Sequence, residues 1–230
     1  MARINEADES RRRFLIAALA TGLFGAAGCS STTDVARLSA GRSIYQLLGH
    51  VLVNGAKATL DTPVIPGDLV ETFDKSYIIF VVASESYILR SNSRLIVGAS
   101  GGQALNLSSG KLLSVFTPGN PIQIATPSAL VSIRGTGLYV ESEETRSYVC
   151  TCYGTTTIAV NGQPTINEAV TSKHHDAPKY VINDGSDQRI EPAPFKNHDD
   201  EELLLLETLV GRSTPFVVPS GINRSRRSYY

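Results

Sequence analysis

Leu130-Val131-Ser132-Ile133-Arg134-Gly135-Thr136-Gly137-Leu138-Tyr139-Val140-Glu141 is the stretch on which the fold class turns. Two short runs of β-branched, aliphatic and aromatic residues flank Arg134-Gly135-Thr136-Gly137, a group of turn formers. The same alternation of strand-like run and turn recurs on both sides. Upstream, residues 50–53, 77–82, 86–89, 94–97, 111–116 and 122–125 read as strands, and downstream so do residues 147–153. Asn54-Gly55, Pro66-Gly67-Asp68, Ser109-Gly110 and Pro118-Gly119-Asn120 separate them. Short strands at close spacing predict an all-β domain, whether sandwich, roll or solenoid-like sheet, and periodicity does not choose among the three.

Beyond Asn161 the pattern loosens. Residues 167–179 hold few apolar side chains and read as loop, while Tyr180-Val181-Ile182 reads as a strand closed by Asn183-Asp184-Gly185. Pro192 and Pro194 bracket an extended piece. One helix is predicted over residues 200–210. Asp199 with Glu202 resembles a capping box, and acidic residues occupy the positive end of the helix. Leu203, Leu206 and Val210 form an apolar stripe that Leu204 and Leu205 widen, and Gly211 and Pro215 supply the stop. The last residues, with Arg224, Arg226 and Arg227, read as a tail.

The first 28 residues read as an address. Ser10-Arg11-Arg12-Arg13-Phe14-Leu15 fits the twin-arginine export pattern, carried by Arg11, Arg12, Phe14 and Leu15. The apolar run from Phe14 to Ala27 has 14 residues, short of the ~20 that span a bilayer as a helix. A cleavable leader fits that length better than an uncleaved signal anchor. Ala26-Ala27-Gly28-Cys29 resembles the acylation site of bacterial lipoproteins, with Ala26 where Leu is usual, and makes Cys29 the lipidated first residue of the mature chain. The implied location is the envelope, facing the periplasm, on the outer membrane or the periplasmic face of the inner one. Residues 29–230 carry 17 basic and 19 acidic side chains, which gives no basic surface for nucleic acid.

Several motifs in order resemble the FecR domain. They are Thr126-Pro127, the apolar alternation at Val131 and Ile133, the Arg134-Gly135-Thr136 turn, and Tyr139-Val140. Upstream, residues 50–55, Pro66-Gly67-Asp68 and Gly110-Lys111-Leu112 match that family's other turns in sequence order. The resemblance spans residues 45–162 and implies a periplasmic binding or signalling domain with an envelope protein as partner. Members commonly carry a cytoplasmic anti-sigma segment ahead of a membrane helix. Here nine residues precede Ser10, too few for such a segment, so only the periplasmic half of the function carries over. The expected organisation is therefore a leader (1–28), a linker (29–44), the FecR-like domain (45–162), an extension with the helix (163–215) and a tail (216–230).

Cys150-Thr151-Cys152 lies in an expected strand, which turns both thiols and Tyr148 to one face. His174, His175 and His198 follow. Thiolate with imidazole suits Zn or Cu(I), which makes Cys150, Cys152, His175 and His198 candidate ligands. Core packing beside Tyr148 and a strained Cys150–Cys152 disulfide are the competing readings. No nucleophile elbow, His-Glu-x-x-His or phosphate-binding loop is present, so an enzyme is not expected. Three functions stay open: a binding or signalling module, a metal-holding or redox envelope protein, and a scaffold in an envelope or polysaccharide-export assembly.

Overall fold

A computed structural model describes residues 38, 42–98, 104–119 and 121–217. The described residues form fourteen strands and then one helix. The strands are β1 (Ile44–Leu48), β2 (Val51–Val53), β3 (Ala56–Lys57), β4 (Leu69–Thr72), β5 (Tyr77–Val82), β6 (Glu85–Leu89) and β7 (Ser93–Ile96). They continue with β8 (Leu105–Val115), β9 (Pro121–Ala125), β10 (Ala129–Ser142), β11 (Arg146–Val160), β12 (Gln163–Ser172), β13 (Lys179–Asn183) and β14 (Gln188–Pro192). The helix is α1 (Asp200–Leu209). The expected β-rich chain with one C-terminal helix is thus the fold, and the sheet is open rather than a closed barrel.

Three long strands each change neighbours halfway and so serve two layers. The first half of β8 pairs with β7 and β9, and its second half with β6 and β10. β10 pairs first with β9 and then with β8. β11 pairs with β13 along its first half and with β12 along its second. Layer one is therefore β3-β2-β4-β7-β8-β9-β10-β11-β12, and layer two is β1-β5-β6-β8-β10-β11-β13-β14.

The change-over points explain where sequence reading went astray. Arg134-Gly135-Thr136-Gly137 and Ser109-Gly110 are not turns; they are bends inside β10 and β8. The β10–β11 register slips between Arg134 and Gly137 and again before Leu138. Gly135 has φ +64, and a Cβ there would lie 2.4 Å from the Pro118 Cα. Gly154, opposite it on β11, has φ +89 and would meet the Thr136 side chain at 2.5 Å. Glycine at a bulge lets a strand bend and continue, so the local signal resembles a turn while the chain stays extended. A second correction concerns residues 167–179. Pairing with β11 extends β12 through Ser172, leaving only residues 173–178 as loop.

Alternation sorts the side chains into two interiors. Val131, Ile133, Leu138, Val140, Val149 and Ile158 point between the layers, with Phe80 and Leu112. Tyr139, Tyr148, Cys150 and Cys152 point to the outer face of layer two. Helix α1 covers that face through Leu203, Leu205, Leu206 and Leu209. The stripe differs from expectation at its end: Leu209 is buried, and Val210 is the half-buried C-cap. Burying each leucine contributes about 1.5–3 kcal/mol.

Polar contacts fix the helix in place. Asp199 and Glu202 form the reciprocal capping box, with Glu202 N–H donating to Asp199 Oδ1 at 3.0 Å and Asp199 N–H to Glu202 Oε2 at 3.1 Å. Arg90, on layer two, donates to both Glu202 oxygens at 2.7 and 2.8 Å. Ser86 Oγ donates to the Leu206 carbonyl at 2.7 Å. Among the described residues no helix is long and apolar enough to cross a membrane.

Candidate metal centre

Three elements bring the thiols and imidazoles together. Strand β11 presents Cys150 and Cys152 on its outer face, two residues apart as the pleat requires. The loop between β12 and β13 brings His175, whose N–H donates to the Cys152 carbonyl at 2.9 Å. His175 has φ +55, a left-handed conformation that points a loop-tip side chain back over the sheet. His198 precedes the N-cap of α1, so docking of the helix sets its position. Its ring stacks on Tyr139 at 4.4 Å between centroids.

The four ligand atoms lie within 4.8 Å of one another. Cys150 Sγ is 3.5 Å from His175 Nδ1, Cys152 Sγ is 3.4 Å from His198 Nε2, and the two nitrogens are 3.1 Å apart. A tetrahedral ion with Zn–S near 2.3 Å and Zn–N near 2.0 Å would have edges of about 3.5 Å (S to N) and about 3.3 Å (N to N). Both cysteines are free thiols with no exposed surface, and neither is in a disulfide. They also belong to the apolar layer under α1, so packing and ligation are compatible roles.

Groups outside the four fix the tautomers. His198 Nδ1 lies 2.8 Å from the Lys196 carbonyl, which can only accept. Nδ1 is therefore the protonated nitrogen, and Nε2 offers its lone pair to the cluster. His175 Nε2 lies 3.1 Å from Asp200 Oδ1, which leaves Nδ1 as the inward atom. With both rings neutral, two lone pairs would face one another across 3.1 Å. Such a pair needs a positive charge between or on it, either a bound cation or an additional proton.

The electrostatics of the cluster favour that proton on His175. A hydrogen bond from Cys152, then those from His175 and His198, hold the Cys150 thiol down to about 3 despite burial. Burial and the adjacent Cys150 push Cys152 up. Burial disfavours the His175 imidazolium, but hydrogen bonds to Asp200 and Cys150 outweigh it and raise the group to about 9. A thiolate–imidazolium pair results. Cys150, His175 and Asp200 also follow the order of a nucleophilic thiol, imidazole and carboxylate. Cys150 has no exposed surface, which sets it apart from the partially exposed setting of reactive cysteines.

Asp200 and Lys196 are the site residues that sequence reading missed. In the sequence Asp200 reads as part of the helix cap, although an acid two residues from a candidate ligand histidine is the available signal for an orienting carboxylate. His174 lies on the rim, half exposed, with Nε2 at 2.9 and 3.0 Å from the two Asp200 oxygens.

The FecR-like motif residues lie elsewhere and make structural contacts. Thr126 Oγ1 accepts from the Ala129 N–H at 2.8 Å and is 2.8 Å from Ser147 Oγ, tying the β9–β10 connection around Pro127 to β11. Gly135 and the buried Thr136 form the β10 bend, with Phe116 N–H donating to the Thr136 carbonyl, and Arg134 is exposed. Arg11, Arg12, Phe14, Leu15 and Cys29 lie outside the described residues.

No family model and no curated protein match the chain. Two crystal structures, at 1.65 and 2.50 Å resolution, of a predicted anti-sigma factor from Parabacteroides distasonis ATCC 8503 are similar to it, with TM-scores of 0.46 and 0.45 and 12% identity. The alignments cover 59% of this chain and 62% of that one, so the chain spans less than two thirds of those proteins.

Proposed function

We propose that this protein holds one transition-metal ion, Zn²⁺ in preference to Cu(I), at Cys150, Cys152, His175 and His198, as an exported, lipid-anchored envelope domain without catalytic activity. The observation that carries the proposal is the convergence of two sulfurs and two imidazole nitrogens within 4.8 Å of one another, with each ring fixed by a separate outer partner. Two thiolates complete a closed set of four, the pattern of metal sites that stabilise a fold rather than bind substrate. Charge selects the ion. Two thiolates neutralise a divalent cation, whereas a monovalent one leaves a net negative charge in a buried site, which is costly.

The envelope setting rests on residues 1–29: the Arg11-Arg12 pair, the short apolar run and Cys29. Twin-arginine export suits a metal site because it carries folded proteins, which allows loading before export. The FecR-like motifs at Thr126-Pro127 and Arg134-Gly135-Thr136 support a second reading, in which the β domain also binds an envelope protein, a receptor or an assembly component. The two readings are compatible, because the motif residues and the metal ligands occupy different parts of the sheet.

Elemental analysis of protein purified without an affinity tag is expected to show about one zinc per chain. Chelator is expected to lower the melting temperature of the wild type and to leave Cys152→Ser unchanged. Metal-free protein whose melting is indifferent to added zinc would sink the proposal.

A further inference from the structure

Resting on the metal reading above, we propose that His174 and Asp200 form the port through which the ion exchanges between solvent and the buried site. Three of the four ligands are sealed: Cys150 and Cys152 are 0% exposed and His198 is 2%. His175, with 8% of its side chain exposed, stands at the boundary. Its outward nitrogen is bound to Asp200 Oδ1, and the same carboxylate is bound by His174. The His174 side chain is 50% exposed and that of Asp200 26%. The carboxylate that orients an inner ligand is therefore shared with an imidazole standing in water.

His174 Nε2 and the Asp200 oxygens, 2.9 and 3.0 Å apart, are a nitrogen and oxygen donor set for the same class of ion. To bind there, the ion takes the place of the Nε2 proton, which moves to Nδ1 by way of water, so that the imidazole stays neutral. One imidazole and a hydrated carboxylate bind weakly and release quickly. Two thiolates and two imidazoles bind tightly, so affinity rises inward. The motion required is small. Asp176 Oδ2 accepts the Lys173 N–H at 2.7 Å, and the His175 N–H is held by the Cys152 carbonyl. With the loop backbone pinned at both points, the opening this port requires is a rotation of the His175 ring, which packs against Phe195 and His198.

A rival role for His174 makes the opposite prediction. Its ring packs on Phe216 at 4.6 Å between centroids, so it would serve equally as a lid. Removing a lid speeds exchange, whereas removing a transit ligand slows it. The test is stopped-flow zinc transfer between the full chain and the colorimetric chelator 4-(2-pyridylazo)resorcinol, in both directions. His174→Ala and His174→Phe, the latter keeping a ring against Phe216, are both expected to slow uptake and release severalfold and by the same factor. Stoichiometry and equilibrium affinity are expected to stay at wild-type values, because the port holds the ion only in passage. Faster exchange in His174→Ala, or unchanged rates in both variants, overturns the port while leaving the metal site standing. Wild-type protein that takes up no zinc overturns the metal reading, and the port with it.

Discussion

Tyr139 and Val140 are neighbours on one strand, yet they face two interiors of different chemistry. Val140 enters the space between the sheet layers, which is filled almost wholly by aliphatic side chains with Phe80, Tyr87 and Phe116. Tyr139 enters the space under α1, where aromatic rings, two thiols, an imidazole and the Arg90–Glu202 ion pair are buried together. Glu141 and Glu207 sit there too, each bound by a cation and a tyrosine hydroxyl. The first interior asks only for volume and apolarity, and hydrophobic neighbours are interchangeable within limits. The second asks for particular partners, because every buried polar group that loses one costs free energy.

The largest effects expected from separating the two interiors come from Phe80→Ala and Arg90→Met. Phe80 has no exposed surface and stacks on Tyr87 at 5.0 Å. Its truncation is expected to cost about 3–5 kcal/mol in urea unfolding, while metal content stays at the wild-type level. Loss of metal in that variant would show that the interiors are not separable.

Arg90→Met leaves the Glu202 carboxylate buried without its cation, a loss of about 3–5 kcal/mol for a pair this enclosed. The damage is expected to be local. Amide exchange is expected to accelerate in residues 200–209 while strands facing the inter-layer core keep their protection. Adding Glu202→Leu to Arg90→Met is expected to recover much of the loss, because no unpaired charge then remains. Uniform loss of protection across both layers would break the comparison.

A smaller effect is expected from acid. Burial opposes ionisation of Glu141, but hydrogen bonds from Asn197, Lys196 and Tyr139 outweigh it and hold the carboxyl below its ordinary 4.5. A lowered native value means stability that is present above 4.5 and lost as pH falls through the native value. Tyrosine fluorescence, which reports on Tyr139 and Tyr148 in this layer, is expected to begin changing just below that pH. Glu141→Gln is expected to be less stable at neutral pH and to lose part of the acid dependence. An acid profile identical to the wild type would remove Glu141 from the account.

The contrast also explains what could be read in advance. Alternation placed Val131, Ile133 and Val140 in strands, and the i, i+2 spacing placed Cys150 and Cys152 on one face, since both follow from the pleat itself. The capping box at Asp199 and Glu202 was legible for the same reason: it is a contact between residues three apart. Gly135 and Gly110 were misread because a bend and a turn need the same backbone conformation. Only the partner strands decide whether the chain reverses or continues. Asp200 was missed because its role depends on His175, which lies 25 residues earlier.

By itself, then, the sequence determined the β-rich class, the capped C-terminal helix and the residue types able to ligate a metal, all of which are local in the chain. The tertiary structure alone decided that three long strands serve two layers and that α1 covers the outer face of one of them. It also decided that His175 and His198 aim their inward nitrogens at each other. The physical reason is that a tautomer, a buried ion pair or a bend is fixed by a partner far away in sequence, and that partner is chosen only when the layers pack.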